Sequence, residues 1–197
     1  MMLRVLLIAL SAYLLGSVSS SVLISRHFFA ADVRGAGSGN AGATNMARVY
    51  GFGPGLAVLA CDAVKTILAL LLGRWLGGTA GVCVAGVCCN LGHCKPLFFG
   101  FSGGKGVSVG AAIAAFLGWR IFAAAAAVFF LLFALTKIVS VCSMAAAVAI
   151  PLMCVLTGAP LPYTLLAVFT ALLVLWFHRG NLARLRRGEE PKFHAGK

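Results

Sequence analysis

Long apolar runs, joined by a few short polar segments rich in glycine, leave this chain little choice of fold. The runs cover residues 5–24, 54–73, 79–91, 107–119, 121–136, 140–157 and 163–177. A bilayer core takes about 20 apolar residues per helical crossing, and only helices or closed barrels satisfy their backbone within it. Composition agrees: 61% of residues are hydrophobic and 10% charged, with mean hydropathy +1.03, whereas a soluble domain carries about a quarter charged residues. The expectation is one all-α domain spanning residues 1–197, a polytopic bundle of seven transmembrane helices. The third and fourth runs have only about 13 residues, short for a crossing and suited to a re-entrant or locally thinned segment.

Charge placement tests that count. Sixteen Lys and Arg stand against four acidic residues, for a net charge of +12. With the N-terminus outside and seven alternating crossings, Arg26, Arg34, Arg48, Lys95, Lys105, Lys137, Arg179, Arg184, Arg186, Arg187, Lys192 and Lys197 gather on the cytoplasmic side. Only Arg4, Arg74 and Arg120 fall outside, and Lys65 lies within a span. That bias is the one that cytoplasmic loops normally show, and removing any span scrambles it. The C-terminus is therefore expected in the cytoplasm. Arg4 followed by an apolar run ending in small residues also fits a leader peptide. Its removal would leave six spans and require the new N-terminus inside, which is incompatible with secretion of that segment.

The cationic surplus suits anionic lipid or an anionic substrate, and nucleic acid is the weakest of the readings. Seven cysteines lie mostly within apolar runs, without paired spacing. Cys88, Cys89, His93 and Cys94 form a superficial cluster with no second ligand group nearby, so neither a metal nor a cofactor is expected.

Under this topology three glycine-dense polar segments reach the same membrane face. The first, RGAGSGNAGATNMARVYG, places Gly35, Gly37, Gly39 and Gly42 where main-chain N–H groups can approach a phosphate. Ser38, Asn40, Thr44 and Asn45 add neutral hydrogen-bonding groups, and Arg48 adds a planar fork. The second, GHCKPLFFGFSGGKGVSVG, sets Gly103, Gly104 and Gly106 around Lys105 at a helix start, which favours an anion. It is no Walker A loop, because Phe99 and Gly106 stand where Gly and Ser or Thr are required. The third, HRGNLARLRRGEEPK, puts His178 and Asn181 about one turn apart, able to face one site. Arg184, Arg186 and Arg187 have a plainer use in anchoring to anionic lipid, with Glu189 and Glu190 pairing locally. Asp62 and Lys65, one turn apart inside a span, are expected to pair. His27 and Asp32 reproduce the His-x4-Asp spacing of another acyltransferase class, but its companion acidic block is missing.

Taken together, SGNAGATNMAR, GHCKPLFFGFSGGKGV and HRGNLARLRRGEEPK resemble, in order and spacing, the three cytoplasmic motifs of the bacterial acyl-phosphate:glycerol-3-phosphate acyltransferases. The resemblance covers essentially the whole chain. It implies a seven-span protein of the bacterial cytoplasmic membrane with its active site on the cytoplasmic side. Its reaction would move a fatty acyl group from acyl phosphate to the 1-hydroxyl of glycerol 3-phosphate, giving lysophosphatidic acid and phosphate. By the same resemblance Ser38 and Arg48 correspond to an essential pair, with Asn40 and Asn45 in the surrounding loop. Lys105 and its glycines correspond to the block associated with a phosphate-bearing substrate, and His178 and Asn181 to the polar pair of the third. Glu190 has a structural role. Lys95, Gly100 and Ser102 depart from the residues commoner at their positions. Acyl phosphate is already activated, so direct attack by the glycerol 3-phosphate hydroxyl needs no protein nucleophile. The rival reading is a transporter of phosphate or an organophosphate, although no internal repeat is evident. Acyl chain length and oligomeric state are set by none of these residues.

Overall fold

A computed structural model describes residues 2–194 of the chain, so Lys197, counted above among the cytoplasmic charges, lies outside them. Nine α-helices follow in order among the described residues: α1 (Met2–Ser17), α2 (Ser20–Phe29), α3 (Ala43–Tyr50), α4 (Phe52–Cys94), α5 (Val107–Leu117), α6 (Trp119–Thr136), α7 (Val139–Leu156), α8 (Leu161–Phe177) and α9 (Arg179–Arg186). There are no strands among them. Four helical stretches are long and apolar enough to cross a membrane: Met2–Phe29, Phe52–Phe99, Trp119–Thr136 and Val139–Leu156. A fifth is added if α8 and α9, bent by 55° against each other, count as one span. α5 is apolar but has only 11 residues.

One break falls inside an expected run and another in the gap between two of them. The first run is divided between α1 and α2 at Ser19, whose backbone is extended (φ −85°, ψ 93°). The carbonyl of Val18 released by that break accepts a hydrogen bond from Lys65 Nζ at 2.7 Å. The second and third runs form the single element α4, which loses helical geometry at Gly77 and Gly78 (φ 56°, ψ −140°), a conformation open to glycine. Its two halves fold back on each other. A Cβ on Gly73 would lie 2.4 Å from the carbonyl oxygen of Gly81, and farther along the hairpin the Cys89 thiol points to Thr66.

Small residues let α1 pack against the second half of α4: a Cβ on Gly16 would meet the Cys89 carbonyl at 2.2 Å, and one on Gly92 the Tyr13 carbonyl at 2.3 Å. Such close backbone approach is how helices associate where lipid removes the hydrophobic drive between them. Around this seam Ile8, Ala12, Leu70, Val82, Val109, Ile113 and Leu166 form the main apolar core. The outward surface is also apolar, with Trp75 80% exposed, Leu135 73% and Val155 68%, which suits contact with lipid tails rather than water.

Candidate active site

Each polar loop is held by internal hydrogen bonds before any ligand is considered. In the first, the Asp32 carboxylate accepts from Arg34 N, Nε and Nη2 and from Arg26 Nη2, all within 3.0 Å. The Arg34 bonds hold that carboxyl well below its usual range. Asp32 is thus committed to arginines, and no hydrogen bond joins it to His27 among the described residues. Arg34 also donates from Nη1 to the carbonyls of Phe99 (2.7 Å) and Ser102 (3.3 Å), stitching the first loop to the second. Buried Asn45 accepts from Ser38 N at 2.8 Å and donates to the carbonyls of Val33 and Ala36. Gly37, at φ +60°, has no room for a side chain, because a Cβ would fall 2.3 Å from Asn45 Oδ1. Asn45 thereby sets the shape of the loop, and Asn40 Nδ2 ties it to the Gly103 carbonyl at 3.3 Å.

The second loop lies flat on the end of α4. A Cβ on Gly103 would meet the His93 carbonyl oxygen at 2.1 Å, and one on Gly104 the His93 Nε2, also at 2.1 Å. Gly106 takes φ +81° to open α5. These three glycines, and Gly39 in the first loop, do not line the cavity described below; they permit the backbone path that presents Lys105.

In the third segment, Asn181 links two charges. Its Oδ1 accepts from Lys105 Nζ at 2.6 Å, and its Nδ2 donates to Glu190 Oε1, also at 2.6 Å. Glu190 additionally accepts from Ser140 Oγ and Arg184 Nε, each at 2.8 Å. Burial pushes the Glu190 carboxyl up, but hydrogen bonds from Asn181, Ser140 and Arg184 outweigh it and leave it below its ordinary value. Glu189 pairs instead with Arg187 at 2.7 Å on the surface. Burial lowers Lys105, with the cations of Arg184 and Arg48 adding to the effect and Glu190 opposing it. His178 sits at the bend between α8 and α9, where Nδ1–H donates to the Val174 carbonyl at 2.8 Å and leaves Nε2 as an acceptor. Burial drives its pKa down to about 4, so the ring is neutral at pH 7.

The loops enclose one end of a cavity of about 830 Å³. Ser38, Arg48, Lys105, His178 and Asn181 all line it, as do Gly37, Asn40, Gly42, Thr44 and Asn45. Arg48, in the last turn of α3, has no ion-pair partner among the described residues and remains available to an anion. Beyond the polar end the wall turns apolar, with Phe122, Ala125 and Phe129 from α6 facing Ala146, Ala147 and Ile150 from α7. An acyl chain lying between helices is in keeping with the sequence, but sequence reasoning did not locate the extension between α6 and α7, and it missed Ser108, Ser140, Ser143 and Thr170 on α5, α7 and α8 and the wall contribution of His93. Ser108 alone carried a local signal, two residues after the Gly-Lys-Gly turn.

Asp62 and Lys65 pair as their spacing predicts, at 2.8 Å and buried. Asp62 accepts further hydrogen bonds from Ser20 and Ser108. Among the described residues, no three His, Cys, Asp or Glu side chains are grouped so as to hold a metal ion.

The family model described as Glycerol-3-phosphate acyltransferase matches residues 6–188. The chain belongs to the glycerol-3-phosphate acyltransferase family. Among family members, the protein named glycerol-3-phosphate acyltransferase from Synechococcus sp. (strain JA-3-3Ab) is 43% identical over 96% of this chain and 94% of its own length. The one from Desulforudis audaxviator (strain MP104C) is 40% identical over 97% and 96%. Two crystal structures of PlsY (YgiH), an integral membrane glycerol 3-phosphate acyltransferase, share the fold. The glycerol 3-phosphate form superimposes with TM-score 0.91 at 31% identity, covering 96% of both chains. The lysophosphatidic acid form does so with TM-score 0.88 at 30% identity, covering 96% of this chain and 95% of that one. The solved family members are integral membrane proteins, in keeping with the apolar exterior of this one.

Proposed function

We propose that this protein transfers a fatty acyl group from acyl phosphate to the 1-hydroxyl of glycerol 3-phosphate, producing lysophosphatidic acid and phosphate. The observation that carries this reading is a single cavity whose cationic, hydrogen-bonding end continues into an apolar slot. One end suits two phosphate-bearing reactants and the other suits an acyl chain. Family membership and the PlsY forms named for glycerol 3-phosphate and lysophosphatidic acid support the same pair of substrate and product.

In this reading Arg48, Lys105 and the amides of the Ser38 loop bind the phosphates, while His178 and Asn181 orient the acceptor. The hydroxyl oxygen of glycerol 3-phosphate attacks the acyl carbonyl carbon. A carbon–oxygen ester bond forms, the anhydride carbon–oxygen bond breaks, and inorganic phosphate leaves with the bonding pair. The hydroxyl proton passes to His178 Nε2 or to a substrate phosphate oxygen. The site's cations neutralise charge at the leaving phosphate and the developing oxyanion, where preorganised donors have most effect.

The topology proposed with this function has seven crossings: α1 with α2, each half of α4, then α5, α6, α7 and α8. The N-terminus lies outside, and all three loops lie on the cytoplasmic side of a bacterial inner membrane. Convergence of the loops on one cavity supports a shared face, and the charge bias supports the cytoplasmic one.

Purified protein given labelled glycerol 3-phosphate should form labelled lysophosphatidic acid with acyl phosphate and none with acyl-coenzyme A. Product from acyl-coenzyme A alone would refute the donor assignment. Uptake of phosphate into liposomes without acyl transfer would refute the enzyme assignment.

A further inference from the structure

We propose that His93 is a hydrogen-bond donor to a substrate phosphate oxygen, with its imidazole fixed in the Nε2–H form by the Asp62–Lys65 ion pair beneath it. The proposal rests on the acyl-transfer reading of the cavity and adds to it a residue that the three loop motifs leave without a chemical role.

Lys65 Nζ has three neighbours in place: the Val18 carbonyl at 2.7 Å, Asp62 Oδ1 at 2.8 Å and His93 Nδ1 at 3.4 Å. An ammonium has three protons to donate and no lone pair, so Nδ1 of His93 must be the acceptor in that third contact. Asp62 Oδ2, the only competing partner among the described residues, lies 3.8 Å from Nδ1, outside hydrogen-bond reach, and already accepts from Ser108 Oγ at 2.8 Å. The ring proton therefore resides on Nε2.

That nitrogen is placed for work. It has no hydrogen-bond partner among the described residues, and His93 is one of the residues that line the cavity. It lies under Gly104, close enough that a Cβ there would sit 2.1 Å away, which accounts for glycine immediately before Lys105. A phosphate drawn to Lys105 and the amides of this turn arrives beside a neutral N–H donor. His178 is held in the opposite sense, with its proton on Nδ1 against the Val174 carbonyl and a lone pair on Nε2. The cavity thus has one imidazole that gives a hydrogen bond and one that accepts. A buried ion pair is costly to keep for stability alone, and locking a ring tautomer is a use for it.

Glycerol 3-phosphate and acyl phosphate both offer the required oxygen, and kinetics separates them. The protein has four histidines, so the wild type labelled with 15N-histidine in detergent gives a tractable spectrum, with His93 assigned by its loss in His93→Phe. A neutral His93 protonated on Nε2, whose resonance moves when inorganic phosphate is added, is the expected result. Protonation on Nδ1, or a resonance indifferent to phosphate, overturns the proposal without requiring any variant to fold. In His93→Phe, KM for one of the two phosphate substrates should rise at least about tenfold, the scale of one hydrogen bond to a charged group. His93→Gln, which keeps an N–H near the same point, should recover most of that loss. Equal losses in both variants, or KM unchanged for both substrates, would sink it. Absence of acyl transfer by the wild type would instead remove the underlying reading, whichever nitrogen is found to carry the proton.

Discussion

Lys105 Nζ donates to Asn181 Oδ1 at 2.6 Å, joining residues 76 positions apart and fixing which way the asparagine amide faces. The amide NH2 of Asn181 must then point to Glu190, so a cation and a carboxylate are spaced by one neutral side chain. Asn181→Leu takes from Lys105 its side-chain acceptor, while Glu190 keeps its hydrogen bonds from Ser140 and Arg184. We expect kcat/KM to fall about tenfold to a hundredfold, in line with the ~1–3 kcal/mol cost of an unpaired buried polar group, in steady-state assays on folded protein. An unchanged kcat/KM would show that Lys105 is positioned by other contacts.

His178 gives a prediction with a sign. Its folded pKa, lowered to about 4, lies below the ordinary value of 6.5, so folding favours the neutral ring. Its stabilising contribution is complete above the ordinary value and is lost as pH falls through the folded one. Activity that needs the Nε2 lone pair should therefore persist at pH 6 and fail only on approach to pH 4, read as the acid limb of kcat/KM that disappears in His178→Gln. In His178→Ala, turnover below about a thousandth of wild type would identify the ring as the base, since general-base catalysis contributes about 10² to 10⁴. A smaller loss assigns the proton to substrate phosphate.

Glycines that the sequence suggests as ligand contacts should behave as packing residues. Gly103→Ala pushes a methyl into the His93 carbonyl, whereas a Cβ at Gly35 meets nothing within 4 Å. The first should lower the thermal stability of the detergent-solubilised protein by about 1–3 kcal/mol, the range for overpacking, and reduce activity with it. Gly35→Ala should leave both within experimental scatter.

The apolar slot should select chain length. Ala126 lines it from α6, and Ala126→Leu shortens the space available to an acyl tail. Each methylene excluded costs about 0.8 kcal/mol, roughly fourfold in affinity. KM for long-chain acyl phosphates should rise while short-chain donors are spared; a uniform change across chain lengths would place the tail elsewhere.

How much of this was legible beforehand follows from what lipid demands. Helices α6, α7 and α8 begin and end within about two residues of the apolar runs, because a segment facing hydrocarbon must be apolar throughout. The break at Ser19 was hidden, since consecutive small serines inside an apolar run can continue a helix as easily as end one. The reversal at Gly77 and Gly78 left a trace only as the gap between two runs. At the site, Ser38, Arg48, Lys105, His178 and Asn181 stood out because cations, amides and hydroxyls are scarce in such a chain, and the cavity brings all five together. Gly39, Gly103, Gly104 and Gly106 were read as substrate contacts because a glycine that admits a ligand and one that admits another strand of backbone have the same letter. The slot between α6 and α7 had no signature, its alanines and phenylalanines being those any lipid-facing helix uses. His93 sat among cysteines and drew attention only as a metal ligand.

Phe130 lines the cavity yet is 66% exposed on the outer face of α6, so the apolar end of the chamber reaches the side of the protein as well as its interior. A donor entering that way is presented in two dimensions, and its effective concentration is a mole fraction among neighbouring lipids rather than a molarity. Diluting the membrane with inert lipid, at constant bulk amounts of everything else, should slow the enzyme as surely as withdrawing substrate.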